Sequence, residues 1–110
     1  MNTKPTVNQA SLDEIILRIV EVAAPERIIL FGSAARGEMG PHSDLDLLVI
    51  KSGDIHRRRL AQEIHMNLWG VDYAVDIIVA TPEDIERYRD SLGLVYRPAL
   101  REGRVIYDAA

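Results

Sequence analysis

The sequence predicts a small domain of the α/β (α+β) class, in which a mixed β-sheet is flanked by helices. Short apolar runs are typical of strands that are buried on both faces. Longer stretches with apolar residues at helical spacing are typical of amphipathic helices. The length of 110 residues, 47% of them apolar, suits one domain with a small core. We expect a flexible N-terminus over residues 1–10 and a single domain over residues 11–110.

Four apolar runs are predicted to form strands. The first two are nearly continuous, which fits strands covered on both faces of the sheet, and the last is expected at an edge. The predicted strands span residues 27–31, 45–50, 73–79 and 104–107. Between the first two, residues 32–43 contain three glycines and a proline, which indicate a loop with one helical turn near Ala34.

Four other stretches are predicted to be helical. The first starts with Ser11 and Glu14 in a capping-box pattern and stops before Pro25. Asp54 is expected to cap the second helix, and Thr81 the third, whose first residue is a proline. The predicted helices span residues 11–23, residues 54–68, the stretch that begins at Pro82, and residues 93–102.

Charge and composition exclude several classes of function. A net charge of −4 disfavours nucleic acid as a partner, although an RNA end stays open as a substrate. The absence of cysteine rules out disulfides and thiolate chemistry. Because no signal peptide or membrane-spanning run is visible, we expect a cytoplasmic protein. A chain this short has little room for an acceptor-binding domain, so a partner or a second copy is expected to complete the acceptor site.

Two acids stand one residue apart at the start of the second predicted strand. Alternate strand residues point to the same face, so Asp44 and Asp46 would stand side by side, about 7 Å apart at Cα. Two like charges on an apolar strand repel each other and lose hydration. A divalent cation is the obvious compensation. A third acid, Asp76, lies in the next predicted strand, and the sheet can bring all three to one edge.

The residues after the first strand suit the phosphates of a nucleotide. Gly32 lets the backbone approach a ligand closely, Ser33 supplies a hydroxyl, and a turn offers N–H groups to an anion. Arg36 adds a guanidinium. Each residue also has a plainer interpretation, since Ser33 can simply cap a helix and Arg36 can simply be solvated. The combination with Asp44 favours the phosphate site.

These residues together predict magnesium-dependent phosphate chemistry. Magnesium usually takes one or two carboxylates, with phosphate oxygens and water as its other ligands. Asp44 and Asp46 fit that requirement. With two Mg²⁺ ions, Asp76 becomes the third carboxylate ligand and helps to take the proton from an acceptor hydroxyl. Catalysis would then come mainly from positioning and charge neutralisation.

The spacing of these residues resembles a known motif. Gly32-Ser33, ten residues and then Asp44-Leu45-Asp46 are similar to the Gly-Ser-x10-Asp-x-Asp motif of the DNA polymerase β-like nucleotidyltransferase superfamily. Over residues 11–107 the chain resembles its minimal nucleotidyltransferases, or MNT proteins. The resemblance implies the nucleotidyltransferase fold, with Asp76 as the third acid of the family. Ser43, which precedes the two acids in the matching string, is assigned with the glycine-serine turn to nucleotide binding.

The resemblance also implies a substrate and a partner. MNT proteins resemble the antitoxin half of HEPN–MNT toxin–antitoxin pairs, in which AMP is transferred from ATP to a tyrosine of the HEPN ribonuclease toxin. The spacing argument supports nucleotidyl transfer alone, and only the resemblance supports the toxin partner. Two alternatives stay open. The chain can neutralise its partner by binding without catalysis, or it can adenylylate an RNA end or a small molecule.

Overall fold

The computed structural model describes residues 8–37, 44–88 and 101–110. They form a four-stranded mixed sheet with three helices, which confirms the predicted fold class. The elements are, in chain order, α1 (Gln9–Ala23), β1 (Arg27–Phe31), β2 (Leu45–Ile50), α2 (Arg57–Asn67), β3 (Val75–Ala80), α3 (Pro82–Tyr88) and β4 (Arg104–Asp108). The strand order is β3-β2-β1-β4. β1 is antiparallel to β2 and β4, whereas β2 is parallel to β3.

The strands follow the sequence prediction closely. β1 and β2 have the predicted bounds, and β4 extends one residue further and lies at an edge of the described sheet. β3 starts two residues later and ends one residue later than predicted. The Tyr73 hydroxyl accepts a hydrogen bond from the backbone N–H of Asn8 at 3.0 Å. The Ala74 carbonyl accepts one from the Leu45 N–H, at 2.9 Å, where β3 begins.

The start of α1 corrects the predicted cap. The helix begins at Gln9, and its N-cap is Asn8, whose side-chain oxygen accepts a hydrogen bond from the Ser11 N–H at 3.1 Å. The Ser11 hydroxyl instead donates to Asp72 at 2.8 Å. Glu14 does not close a capping box, because its carboxylate pairs with Arg18 at 2.9 Å. The predicted end before Pro25 is confirmed.

The cap predicted for α2 is also wrong. The helix starts at Arg57 and its N-cap is His56, not Asp54. The Nδ1 atom of His56 accepts a hydrogen bond from the Arg59 N–H at 3.1 Å. The imidazole nitrogen therefore accepts here the hydrogen bond that a Ser, Thr, Asn or Asp oxygen commonly accepts at a helix start.

The start of α3 agrees with the sequence. Thr81 precedes the helix, and its hydroxyl accepts a hydrogen bond from the Asp84 N–H at 3.1 Å. The Asp84 carboxylate accepts one from the Thr81 N–H at 3.0 Å, so the two residues cap the helix reciprocally. Of the helix predicted over residues 93–102, only the last two residues lie within the described part of the chain, and they are helical.

The sheet is apolar on both faces, and the two faces have different neighbours. α1 and α2 cover the larger cluster, whose fully buried members include Leu12, Ile15, Ile19, Ile28, Leu30, Leu47, Val49 and Ile64. Ile85 of α3 packs against the smaller cluster on the opposite face, which consists of Ile29, Phe31, Leu48, Ile50 and Ala80. In the described ranges, no helix is long and apolar enough to cross a membrane.

Candidate active site

The sheet register brings the acids and the glycine turn to one place. Asp46 of β2 lies opposite Phe31, the last residue of β1, on one side and opposite Asp76 of β3 on the other. Adjacent strands are about 4.8 Å apart, so Asp46 stands between Asp76 and the turn that starts at Gly32. Three strands far apart in the sequence therefore converge on this site.

The carboxylates share the sheet face that carries the smaller apolar cluster. Asp46 lies two residues before Leu48 in β2, and Asp76 lies two residues before Ile78 in β3. Residues two apart in a strand share a face, so both carboxylates point away from α1 and α2. Asp76 is exposed and Asp46 is partly buried. Asp44, just before β2, is exposed as well. This edge of the sheet is therefore open to a ligand.

Gly32 is in direct contact with the Asp46 carboxylate. A Cβ atom at residue 32 would lie 3.2 Å from the Asp46 Cγ and closer still to its Oδ2. Gly32 also has a φ of +74°, which side chains rarely permit. Only glycine lets the chain turn here while the carboxylate occupies the space beside it.

The turn after Gly32 is one helical turn, as the sequence predicts. The Arg36 N–H donates to the Gly32 carbonyl at 3.3 Å, and the Gly37 N–H donates to the Ala34 carbonyl at 3.2 Å. Ala34 is buried and anchors the turn to the core, whereas Ser33 is partly exposed. The first N–H groups of such a turn have no acceptor within the turn, which is the arrangement that binds anions.

Asp46 is the electrostatic centre of the site. Burial raises the pKa of its carboxyl group, and the charges of Asp76 and Asp44 and a hydrogen bond with Asp76 raise it further, while the Arg36 charge opposes them. Asp44, Asp76 and Arg36 are thus all close enough to act on the Asp46 carboxyl group. The crowding of negative charge is what a bound cation would relieve.

Arg36 has a partner that the sequence analysis missed. Its Nη1 lies 3.5 Å from an Oε2 of Glu102, just before β4. No local signal marks Glu102, because the contact depends on the pairing of β4 with β1, more than 70 residues apart in the chain. Ser43, predicted to bind nucleotide, lies outside the described residues.

The acids fit a magnesium site that the nucleotide completes. Across the described ranges, no three His, Cys, Asp or Glu side chains form a group that could hold a metal ion. A closed protein cage is therefore absent from this part of the chain. Magnesium needs only one or two carboxylates when phosphate oxygens and water supply the remaining ligands. The carboxylates of Asp44, Asp46 and Asp76 are crowded and open to solvent at one edge. They suit a site in which protein and nucleotide together supply the ligands of the metal ion.

The fold is that of nucleotidyltransferases of known structure. A candidate nucleotidyltransferase from Sulfolobus solfataricus superposes with a TM-score of 0.63 at 19% identity, over 91% of this chain and 79% of that one. A toxin–antitoxin crystal structure with AMP-PNP gives 0.57 at 22% identity, over 87% and 73%. The complex of the tri-AMPylated Shewanella oneidensis HEPN toxin with its MNT antitoxin gives 0.56 at 20% identity, over 91% and 71%.

The sequence places the chain within a family. Residues 12–106 match the family model of the nucleotidyltransferase domain, so the chain belongs to this family. No protein with a curated function matches it significantly. The resemblance to minimal nucleotidyltransferases that the motif indicated is thereby confirmed.

Proposed function

We propose that this nucleotidyltransferase transfers AMP from ATP, with Mg²⁺, to a tyrosine hydroxyl of a HEPN-type ribonuclease toxin. The acceptor oxygen forms a bond to the α-phosphorus, the bond from that phosphorus to the bridging oxygen breaks, and pyrophosphate leaves. The observation that carries the proposal is the position of Asp46, in register with Asp76 and in contact with Gly32.

Each residue of the site has a distinct role in this proposal. The turn at Gly32 and Ser33 binds the β- and γ-phosphates through N–H groups and the hydroxyl. Asp44, Asp46 and Asp76 hold two magnesium ions, which when bound neutralise phosphate charge and lower the pKa of the attacking hydroxyl. Asp76, exposed on the outer strand of the pair, receives the acceptor proton. Arg36 supports the phosphates, and we assign Ser43 to nucleotide binding with it.

The partner is the less direct part of the proposal. Two of the similar structures are toxin–antitoxin assemblies, one of them with AMP-PNP and the other with an AMPylated HEPN toxin. Their shared fold makes the same chemistry a reasonable expectation for this chain.

The test is transfer of labelled AMP. The chain is incubated with labelled ATP, Mg²⁺ and the co-encoded HEPN-type protein, and the partner's tyrosines are examined by mass spectrometry. We expect label on a tyrosine, and none with the Asp44→Asn/Asp46→Asn variant. Equal labelling by that variant would contradict the mechanism.

The same experiment distinguishes the alternatives. A partner that is silenced but never modified would identify a non-catalytic binding module. Label on RNA or on a small molecule would keep nucleotidyl transfer and replace the acceptor. The acidic net charge of −4 weighs against RNA.

A further inference from the structure

Glu102 is held in place by the edge strand that follows it. Arg104, two residues later, is paired with Leu30 near the end of β1. The other end of β4 is fixed by an ion pair between Arg27 and Asp108 at 3.4 Å. The Glu102 carboxylate therefore lies two residues before a strand that is anchored to the same β1 that leads into the Gly32 turn.

Arg36 contacts this carboxylate and is also close enough to the acid cluster for its charge to act there. Its backbone N–H closes the helical turn on Gly32, and its charge acts on Asp46. The Arg36 and Glu102 side chains are 44% and 55% exposed. Ordering an arginine side chain on a ligand costs rotamer freedom, and a contact that already orders the side chain lowers that cost.

The ion pair reduces this freedom without blocking the phosphate. A guanidinium has five N–H donors, and the Glu102 contact engages Nη1 alone. The contact does not by itself prevent the same side chain from donating to a phosphate held by the turn. Glu102 also brings a negative charge, which by simple electrostatics would weaken the binding of an anionic nucleotide. Ordering of Arg36 would strengthen nucleotide binding, whereas the Glu102 charge would weaken it. The sign of the change in affinity when Glu102 is replaced therefore shows which effect is larger.

We propose that Glu102 is a positioning residue, which holds Arg36 beside the Gly32 turn and thereby strengthens binding of the nucleotide's β- and γ-phosphates. The inference rests on the proposed nucleotidyl transfer. It assigns a part in substrate affinity to a residue just before the edge strand. It also predicts that removal of a negative charge weakens the binding of an anion.

The experiment is a double-mutant cycle on nucleotide affinity. Dissociation constants for a non-hydrolysable ATP analogue with Mg²⁺ are measured by calorimetry for the wild type, Glu102→Gln, Arg36→Gln and the double variant. We expect Arg36→Gln to weaken binding roughly tenfold. Glu102→Gln should weaken it about two- to five-fold, the range of an exposed ion pair. The double variant should be no weaker than Arg36→Gln.

Two controls define what the effect means. AMP lacks the β- and γ-phosphates, so its affinity should be unchanged by Glu102→Gln. Glu63→Gln removes the same charge from an exposed position on α2 and should leave the affinity for the ATP analogue unchanged. Melting temperatures of all variants are recorded, because loss of affinity with unchanged stability separates positioning from a structural role.

Each outcome bears on the inference. Tighter or unchanged binding by Glu102→Gln would overturn it, and so would an equal factor in the Arg36→Gln background. A wild type that binds neither the ATP analogue nor pyrophosphate would instead refute the proposed function. Failure of the inference and failure of the function it rests on thus give different results.

Discussion

The turn and the acids meet where Gly32 packs against the Asp46 carboxylate. A methyl group at residue 32 meets the carboxylate, so one must move. The φ of +74° adds backbone strain for any other residue, about 1 kcal/mol for alanine. The two contributions can be separated, because other glycines of the chain share the strain without the contact.

We predict that Gly32→Ala lowers transfer activity at least 100-fold and destabilises the fold by roughly 1–3 kcal/mol. The matched control is Gly70→Ala, whose φ is +86° but whose Cβ would meet nothing within 4 Å. The control should carry the strain and retain activity. Labelled-AMP transfer and urea unfolding give both numbers. Equal loss of activity in the two variants would show that the Asp46 contact does not matter.

Asp46 is expected to oppose folding at neutral pH. The pKa of its carboxyl group is raised in the folded protein by burial and by its acidic neighbours. A raised pKa means that the folded state binds the proton more tightly than the unfolded chain does. Its contribution to stability is therefore complete below the unfolded pKa and is lost as the pH rises through the folded pKa.

Asp46→Asn should accordingly raise the melting temperature at pH 7 and abolish transfer. The gain should shrink in acid, where the wild-type carboxyl is protonated. Asp54→Asn changes the charge equally at an exposed position and serves as the control. Thermal unfolding at pH 7 and at low pH measures both variants. A lower melting temperature for Asp46→Asn at pH 7 would show that the carboxylate stabilises the site.

At the scale of elements, Asp84 connects α3 to α2. Its carboxylate accepts two hydrogen bonds from the Arg57 guanidinium, with nitrogen–oxygen distances of 2.5 and 2.8 Å. It also accepts one from the Thr81 N–H. The Arg57 hydrogen bond, followed by those of Thr81, holds the pKa of Asp84 below its usual value. The Asp84 side chain is 14% exposed and that of Arg57 is 51% exposed, so water still screens part of this ion pair.

We predict that Asp84→Ala destabilises the protein by about 1–3 kcal/mol at pH 7. Because the pKa is lowered, this contribution is present above the unfolded pKa and is lost as the pH falls through the folded pKa. The difference from the wild type should therefore narrow in acid. Glu83→Ala, an exposed acid of the same turn, should cost much less. Urea unfolding at the two pH values decides, and a difference that does not depend on pH would contradict the assignment.

The elements were predictable to different degrees. β1 and β2 are defined by local apolar runs, so the sequence predicts their bounds. The cap of α1 is not a purely local decision, because the predicted cap and the residue that replaces it both have distant partners. Ser11 is engaged by Asp72, 61 residues away, and the competing cap Asn8 is held by Tyr73. No sequence pattern reports such contacts.

At the scale of the whole molecule, the spacing of the motif predicts which acids matter, but not how they meet. The convergence of Asp46 with Asp76 depends on the parallel pairing of β2 and β3. The contact of Glu102 with Arg36 depends on β4 returning beside β1. Strand pairings of this kind are fixed by the packing of the whole sheet. Sequence patterns therefore identify the site residues but do not predict which of them are in contact.

Binding of nucleotide with magnesium should stabilise the whole domain. A ligand present at 100 times its dissociation constant adds about 2.7 kcal/mol, which in a domain of this size raises the melting temperature by roughly ten degrees or more. Removal of Mg²⁺ with EDTA should abolish most of the shift. The Asp44→Asn/Asp46→Asn variant should show little of it, and an equal shift in that variant would indicate a binding site elsewhere.

The contact between Gly32 and Asp46 also has a consequence for how such chains diverge. A descendant that keeps the acid at position 46 cannot accept a bulkier residue at position 32 without disturbing it. Once the acid is shortened or lost, only the backbone strain still opposes that replacement. A residue other than glycine at position 32 of a natural homologue therefore indicates, from the sequence alone, that the homologue has lost its transferase activity.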